Sequence, residues 1–125
     1  MKLVNQLLKH KYKLSFSILQ ILILALPLTV SAGGQVSNTS ISFIETTATG
    51  VCFIWLANSI VGSPPTCASK APSRFVLDCT SPGGKAIMAN MEIAFAIGKT
   101  VTIYGAGNCN FYSDTESISS AVSNQ

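Results

Sequence analysis

The chain has 125 residues, room for one domain and not two. Eight Lys and Arg against five Asp and Glu give a formal charge of +3, and 48% of the chain is hydrophobic. That charge is unevenly placed. Lys2, Lys9, Lys11 and Lys13 stand at the N-terminus, so beyond residue 32 four basic residues meet five acidic ones and the net charge is −1. A near-neutral domain has no electrostatic footprint for nucleic acid.

The first element is an export signal. The four lysines form its positive start. An apolar stretch follows, densest over residues 18–30 and broken by Gln20 and Pro27. Val30-Ser31-Ala32 ends it with small residues where a signal peptidase reads. The stretch is short for a span of about 20 residues. Residues 1–32 are therefore expected to be a signal peptide, cleaved between Ala32 and Gly33. Membrane contact is then limited to export, and a single domain over residues 33–125 is secreted or periplasmic.

Residues 33–40 are small and polar, a frayed start. Ile41 and Phe43 alternate with Ser40 and Ser42, as in a half-buried strand. Residues 46–50 form a turn, and residues 51–57 a second strand rich in apolar and aromatic side chains. Gly62, Pro64, Pro65 and Pro72 mark residues 58–73 as a loop. A third strand follows over residues 74–79. Then the period changes. Ser81 can cap a helix and Pro82 suits its first turn. Ile87, Met91, Ala94 and Phe95 share one helical face, and Gly98 is a natural stop. A fourth strand covers residues 100–104, a loop residues 105–113, and a last strand residues 115–122. This order predicts a mainly β fold, a five-stranded OB-fold barrel with its helix between the third and fourth strands.

Cys52, Cys67, Cys79 and Cys109 are separated by 15, 12 and 30 residues. An even number in a short exported chain reads as two disulfides, and the spacings lack the close pairs of a metal site. An antiparallel register that sets Cys52 opposite Cys79 also sets Ile54 against Leu77 and Leu56 against Phe75. One face is then wholly apolar. The other carries Phe53, Trp55 and Val76, with Arg74 facing Ala57. A one-residue slip would mix the faces. Cys52 is thus expected to pair with Cys79, leaving Cys67 for Cys109.

The only histidine, His10, lies in the signal. Beyond it no Ser-His, Cys-His or His-metal chemistry is available. Gly105-Ala106-Gly107 precedes a strand, so the helix terminus of a phosphate loop is missing. Asp114 and Glu116 could be paired carboxylates for glycoside chemistry. Two residues apart on a loop or strand, they read better as solvated surface. The expectation is a protein without catalytic activity, cofactor or metal.

The run Arg74-Phe75-Val76-Leu77-Asp78, with Thr80-Ser81-Pro82-Gly83-Gly84-Lys85-Ala86 after it, resembles a group of small exported bacterial proteins. So do Gly98-Lys99-Thr100-Val101-Thr102-Ile103, Gly105-Ala106-Gly107-Asn108-Cys109 and Ser113-Asp114-Thr115-Glu116-Ser117. More distantly, the strand-helix-strand order and the Gly-Lys-x-Val-x-Ile strand are similar to the B subunits of subtilase cytotoxin and related pertussis-like toxins. The resemblance covers residues 50–117. It implies an OB-fold, a pentamer-like assembly and a sialylated glycan as ligand. The toxin subunits' sugar-binding residues do not map onto this chain, and Cys52 and Cys79 stand outside the pattern.

Two features remain. The outward face of the second and third strands is unusually apolar, and the fourth–fifth loop carries Asn108, Asn110, Phe111 and Tyr112. In OB-folds these regions form the usual ligand surface. Aromatics beside amides suit sugars, whose ring faces stack and whose hydroxyls need polar partners. Trp55, Arg74, Asn108, Asn110, Phe111 and Tyr112 are the candidate site, with Trp55 turned outward as its anchor. Packing against the barrel or a neighbouring subunit is the commoner use of such side chains. Ala86, Ile93 and Ile97 form a second apolar strip on the helix, an interface for a homo-oligomer. The sequence thus favours an exported binding module, its partner a glycan. The alternative is a structural or inhibitory protein that binds another exported protein through the same surface.

Overall fold

A computed structural model describes residues 33–125; the expected signal peptide, residues 1–32, lies outside the described residues. The fold is mainly β. Its elements are β1 (Gly34–Thr39), β2 (Ile41–Thr46), β3 (Val51–Leu56), β4 (Val61–Gly62), a 3-10 turn at Thr66–Lys70, β5 (Arg74–Asp78), α1 (Pro82–Ala96), β6 (Val101–Gly105) and β7 (Glu116–Ser123). All seven strands belong to one mixed sheet, ordered β2-β3-β5-β7-β6-β1-β4. The β5–β7 pair is parallel and the others antiparallel.

Seven strands replace the five expected. One addition is β1, read from sequence as a frayed start. Val36 is its only large apolar residue, too little for a periodic signal, yet Val36 is buried in the core opposite Ile103 of β6. Asn38, at φ 51°, and Ser40 interrupt the chain before β2. Only Ser40 separates β1 from β2, yet β1 pairs with β6 and β2 with β3. The sheet must therefore curl, since its first and sixth members are consecutive in the chain. The other addition, β4, is two residues paired to β1.

Between β3 and β5 the register differs from expectation by two residues. Cys52 faces Leu77, Ile54 faces Phe75 and Trp55 faces Arg74. A two-residue slip keeps every side chain on its face. Ile54, Leu56, Phe75 and Leu77 all enter the core. Cys79 lies one residue beyond β5 and reaches Cys52 diagonally, at a Cα separation of 5.9 Å. Cys67 is bonded to Cys109, at 6.4 Å. Both expected pairings are present, and two disulfides point to an oxidising compartment.

The helix starts and stops where its local chemistry dictates. Ser81 Oγ accepts the Gly84 N–H at 3.1 Å and donates to the Asp78 carbonyl at 2.9 Å, with Pro82 following. Gly98, at φ 69°, reverses the chain in a conformation that side chains disfavour. Met88, Met91 and Ala94 are buried against the sheet, with Ile87 partly so. Phe95, expected on that face, is instead 45% exposed: in the last turn only Ala94 meets the core. Among the described residues, no helix is long and apolar enough to cross a membrane.

Candidate functional site

Alternation along three adjacent strands builds one row on the outward side of the sheet. Phe43 of β2 faces Trp55 of β3, which faces Arg74 of β5. The next row runs Glu45, Phe53, Val76 and Ser117. A face this apolar would be costly if bare. Phe53 and Val76 are nevertheless buried, and the loop between β6 and β7 returns over Phe53. Tyr112 meets the Phe53 ring edge-on, with centroids 4.9 Å apart at 88°.

Arg74 is the hub. Its guanidinium carbon lies 4.8 Å from the Trp55 ring centroid, 5.0 Å from Phe53 and 5.8 Å from Tyr112, within cation–π range. Nη2 donates to Asp114 Oδ1 at 2.6 Å and Nε to Thr115 Oγ1 at 2.9 Å. These partners hold the planar fork across the aromatic rings. The Thr115 hydroxyl, donating to Asp114, does most to hold that carboxyl below its ordinary 3.8; partial desolvation opposes the shift and Arg74 reinforces it.

The loop is braced from within. Asn108 Nδ2 donates to the Ala106 carbonyl at 3.3 Å, while Asn108 Oδ1 accepts the Asn110 N–H at 3.2 Å. The Ser117 N–H donates to the Asn108 carbonyl at 2.8 Å, and Cys109 ties the loop to the 3-10 turn. Of the six candidate residues, Trp55, Arg74 and Tyr112 are brought together. Asn108 spends its amide inside the loop. Asn110 and Phe111 are exposed on it. Trp55 does face outward, but it is half-buried with Arg74 across its ring, and its indole N–H is buried without a partner among the described residues.

Phe43 was missed. Its alternation with Ser42 marked a strand but not a face. The register shift between Ile41 and Phe43 breaks the expected equivalence, so Ile41 is buried while Phe43 is 53% exposed beside Trp55. The reading of Glu116 as solvated surface needs correcting: Glu116 is fully buried at the start of β7. Asp114 keeps a side chain 41% exposed while it pairs with Arg74. No group of three or more His, Cys, Asp or Glu side chains among the described residues could hold a metal. On the helix, Ala86, Ile93 and Ile97 are all exposed, the two isoleucines at 62% each.

No protein-family model, no curated protein and no solved structure matches the chain.

Proposed function

We propose that the chain is exported and that its mature domain is a binding module without catalytic activity, taking a glycan on the β2–β3–β5 face. The barrel reading supports this choice of face. Counted as one strand bent at Ser40, β1 and β2 leave five principal strands and the two-residue β4. The sheet order then becomes first–second–third–fifth–fourth–first, with the helix between third and fourth. That order, with β4 set aside, supports an OB-fold reading, in which ligands bind across the second and third strands and the fourth–fifth loop. The resemblance to toxin B subunits points to the same ligand class.

The observation that carries the proposal is the set of exposed aromatics around a secured arginine. Phe43 is 53% exposed and Tyr112 47%, on either flank of the Trp55–Arg74 pair. Phe111 is 45% exposed on the same loop as Tyr112. Aromatic faces stack on the apolar face of a sugar ring, and the Arg74–Asp114 pair supplies polar atoms for its hydroxyls. With Trp55 half-buried, the anchoring role passes to Tyr112. Screening the disulfide-intact protein on a glycan array tests this. Tyr112→Ala should cost about 1–3 kcal/mol of binding, the hot-spot range. An array without signal for the wild type, or a Tyr112→Ala variant that binds as well as wild type, overturns it.

A second reading rests on α1. Its exposed strip of Ala86, Ile93 and Ile97 suits another copy of the chain, making the module a homo-oligomer. The same sheet face would serve a structural or inhibitory protein whose partner is another exported protein. Co-purification with one such protein, without glycan binding, would favour that alternative.

A further inference from the structure

Glu116 opens β7 and is fully buried. Its Oε1 accepts the N–H of Gly34 at 2.9 Å and the N–H of Gly107 at 2.9 Å. Its Oε2 is buried and has no partner among the described residues. A buried carboxylate is costly to leave without a cation. Among the described residues the only ion pair is Arg74 with Asp114, while Lys70, Lys85 and Lys99 are exposed.

The surroundings explain why no side chain supplies the charge. A methyl group built on Gly105 would collide with Oε1, and one on Gly34 would lie 2.7 Å from Oε2. On Gly33 it would lie 2.7 Å from Oε1 and collide with the Gly105 carbonyl oxygen. Three glycines press their backbones on the carboxylate, and nothing larger fits. A cation reaching this cradle must come from backbone. A chain end is the one backbone group that carries a positive charge.

We propose that the α-ammonium of Gly33, created when the signal is removed, is the counter-ion of Glu116. The inference rests on cleavage after Ala32. Hydrolysis of the Ala32–Gly33 peptide bond consumes one water, leaving a carboxylate on Ala32 and an ammonium on Gly33. Before cleavage the same nitrogen is an uncharged amide with a single N–H. After it, three N–H donors stand beside an acid that lacks one. The ammonium pairs with the Glu116 carboxylate, whose Oε1 Gly34 and Gly107 continue to hold. Export processing thereby completes the junction of β1, β6 and β7, and the mature domain is more stable than any chain that continues past Gly33.

Two measurements separate the cleavage from the lock. Intact mass of the exported protein should give a chain starting at Gly33; any other start overturns the cleavage reading and, with it, the lock in the exported protein. The lock is tested on chains of defined start, released from a cleavable fusion and refolded with both disulfides formed. The chain starting at Gly33 should melt about 5–15 °C above one with a single extra alanine before it. In the Glu116→Gln background that gap should close. Equal melting of the two wild-type chains, or an unchanged gap with Glu116→Gln, overturns the lock. Should Glu116→Gln fail to fold, the wild type alone decides. Its α-amine should react with an acylating reagent about tenfold more slowly when folded than in denaturant, relative to a free glycine amine under the same conditions. Equal relative rates overturn the lock.

Discussion

The outward face of β3 and β5 and the outward face of α1 are both apolar, yet they end differently. Over the first, the β6–β7 loop closes: Tyr112 covers Phe53, Arg74 spans Trp55, and Val76 is completely buried. Over the second, Ile93 and Ile97 stand bare, and no described residue covers them. Composition therefore does not decide what an apolar face does. The deciding fact is whether a later part of the chain returns to it. A face roofed by its own chain gains stability from its aromatics and keeps only the roof's edges for a ligand. A bare face has its whole surface to give to a partner.

The largest test of this contrast removes what pins the roof. Cys67–Cys109 closes 42 residues and Cys52–Cys79 closes 27. In the chain-entropy model each bond is worth about 3–4 kcal/mol. Replacing Cys67 and Cys109 by serine together should lower the unfolding free energy by that amount, read as a fall in the urea midpoint, and weaken the proposed glycan binding as well, because a freed loop must be re-ordered on binding. An unchanged midpoint would mean that hydrogen bonds from Asn108 and Ser117 hold the roof unaided.

Next comes Trp55. Half-buried under Arg74, it should cost about 2–3 kcal/mol on replacement by alanine, somewhat less than a fully buried Trp. Trp55→Phe should stay within about 1 kcal/mol of wild type, because it keeps ring area and removes an unpaired N–H. Calorimetric melting checks both. A Trp55→Ala variant that melts like wild type but loses binding would return the anchoring role to Trp55 and leave the roof without its support.

These outcomes depend on what a linear pattern can carry. The face assignments of β3 and β5 were legible because alternation has a period of two, and the two-residue register difference preserved them. The disulfide partners were legible for the same reason, although Cys79 stands just past its strand. β1 was not, since one valine among glycine and polar residues carries no period; its pairing with β6 holds it. The burial of Glu116 was equally hidden. Its cradle comes from Gly33, Gly34, Gly105 and Gly107, which are brought together only when β1 lies beside β6. The exposure of Phe43 came from a local register shift that residue types do not announce. What failed to read, in each case, was a consequence of neighbours distant in sequence.

A smaller effect lies in the roof's ionic edge. The Asp114 carboxyl has a lowered pKa in the folded protein, so its contribution is present above the ordinary value of 3.8 and is lost as pH falls through the folded value. The melting difference between wild type and Asp114→Asn should therefore stay constant from about pH 7 to about pH 5 and close only in stronger acid. A difference that closes near neutrality would mean that another group governs Arg74.

The smallest effect on the folded chain should come from the bare face, where the consequence for assembly is greatest. Ile93 and Ile97 lie one turn apart, and Ala86 and Ala89 precede them on the same side of α1. Charge stays off this strip; Lys85 and Glu92 flank it. Small residues in one half and large ones in the other suit two antiparallel copies of the helix, where each isoleucine meets the partner's alanine. Aspartate at 93 and 97 together should leave the melting temperature of the dilute chain nearly unchanged, because exposed positions contribute within about 0.5 kcal/mol each. The same pair should abolish self-association, since each copy would bury two charges in the contact. Light scattering over a concentration series reads both states. Wild type should exceed the monomer mass and the Ile93→Asp, Ile97→Asp variant should not. A wild type that stays monomeric at high concentration removes the second copy as the strip's partner.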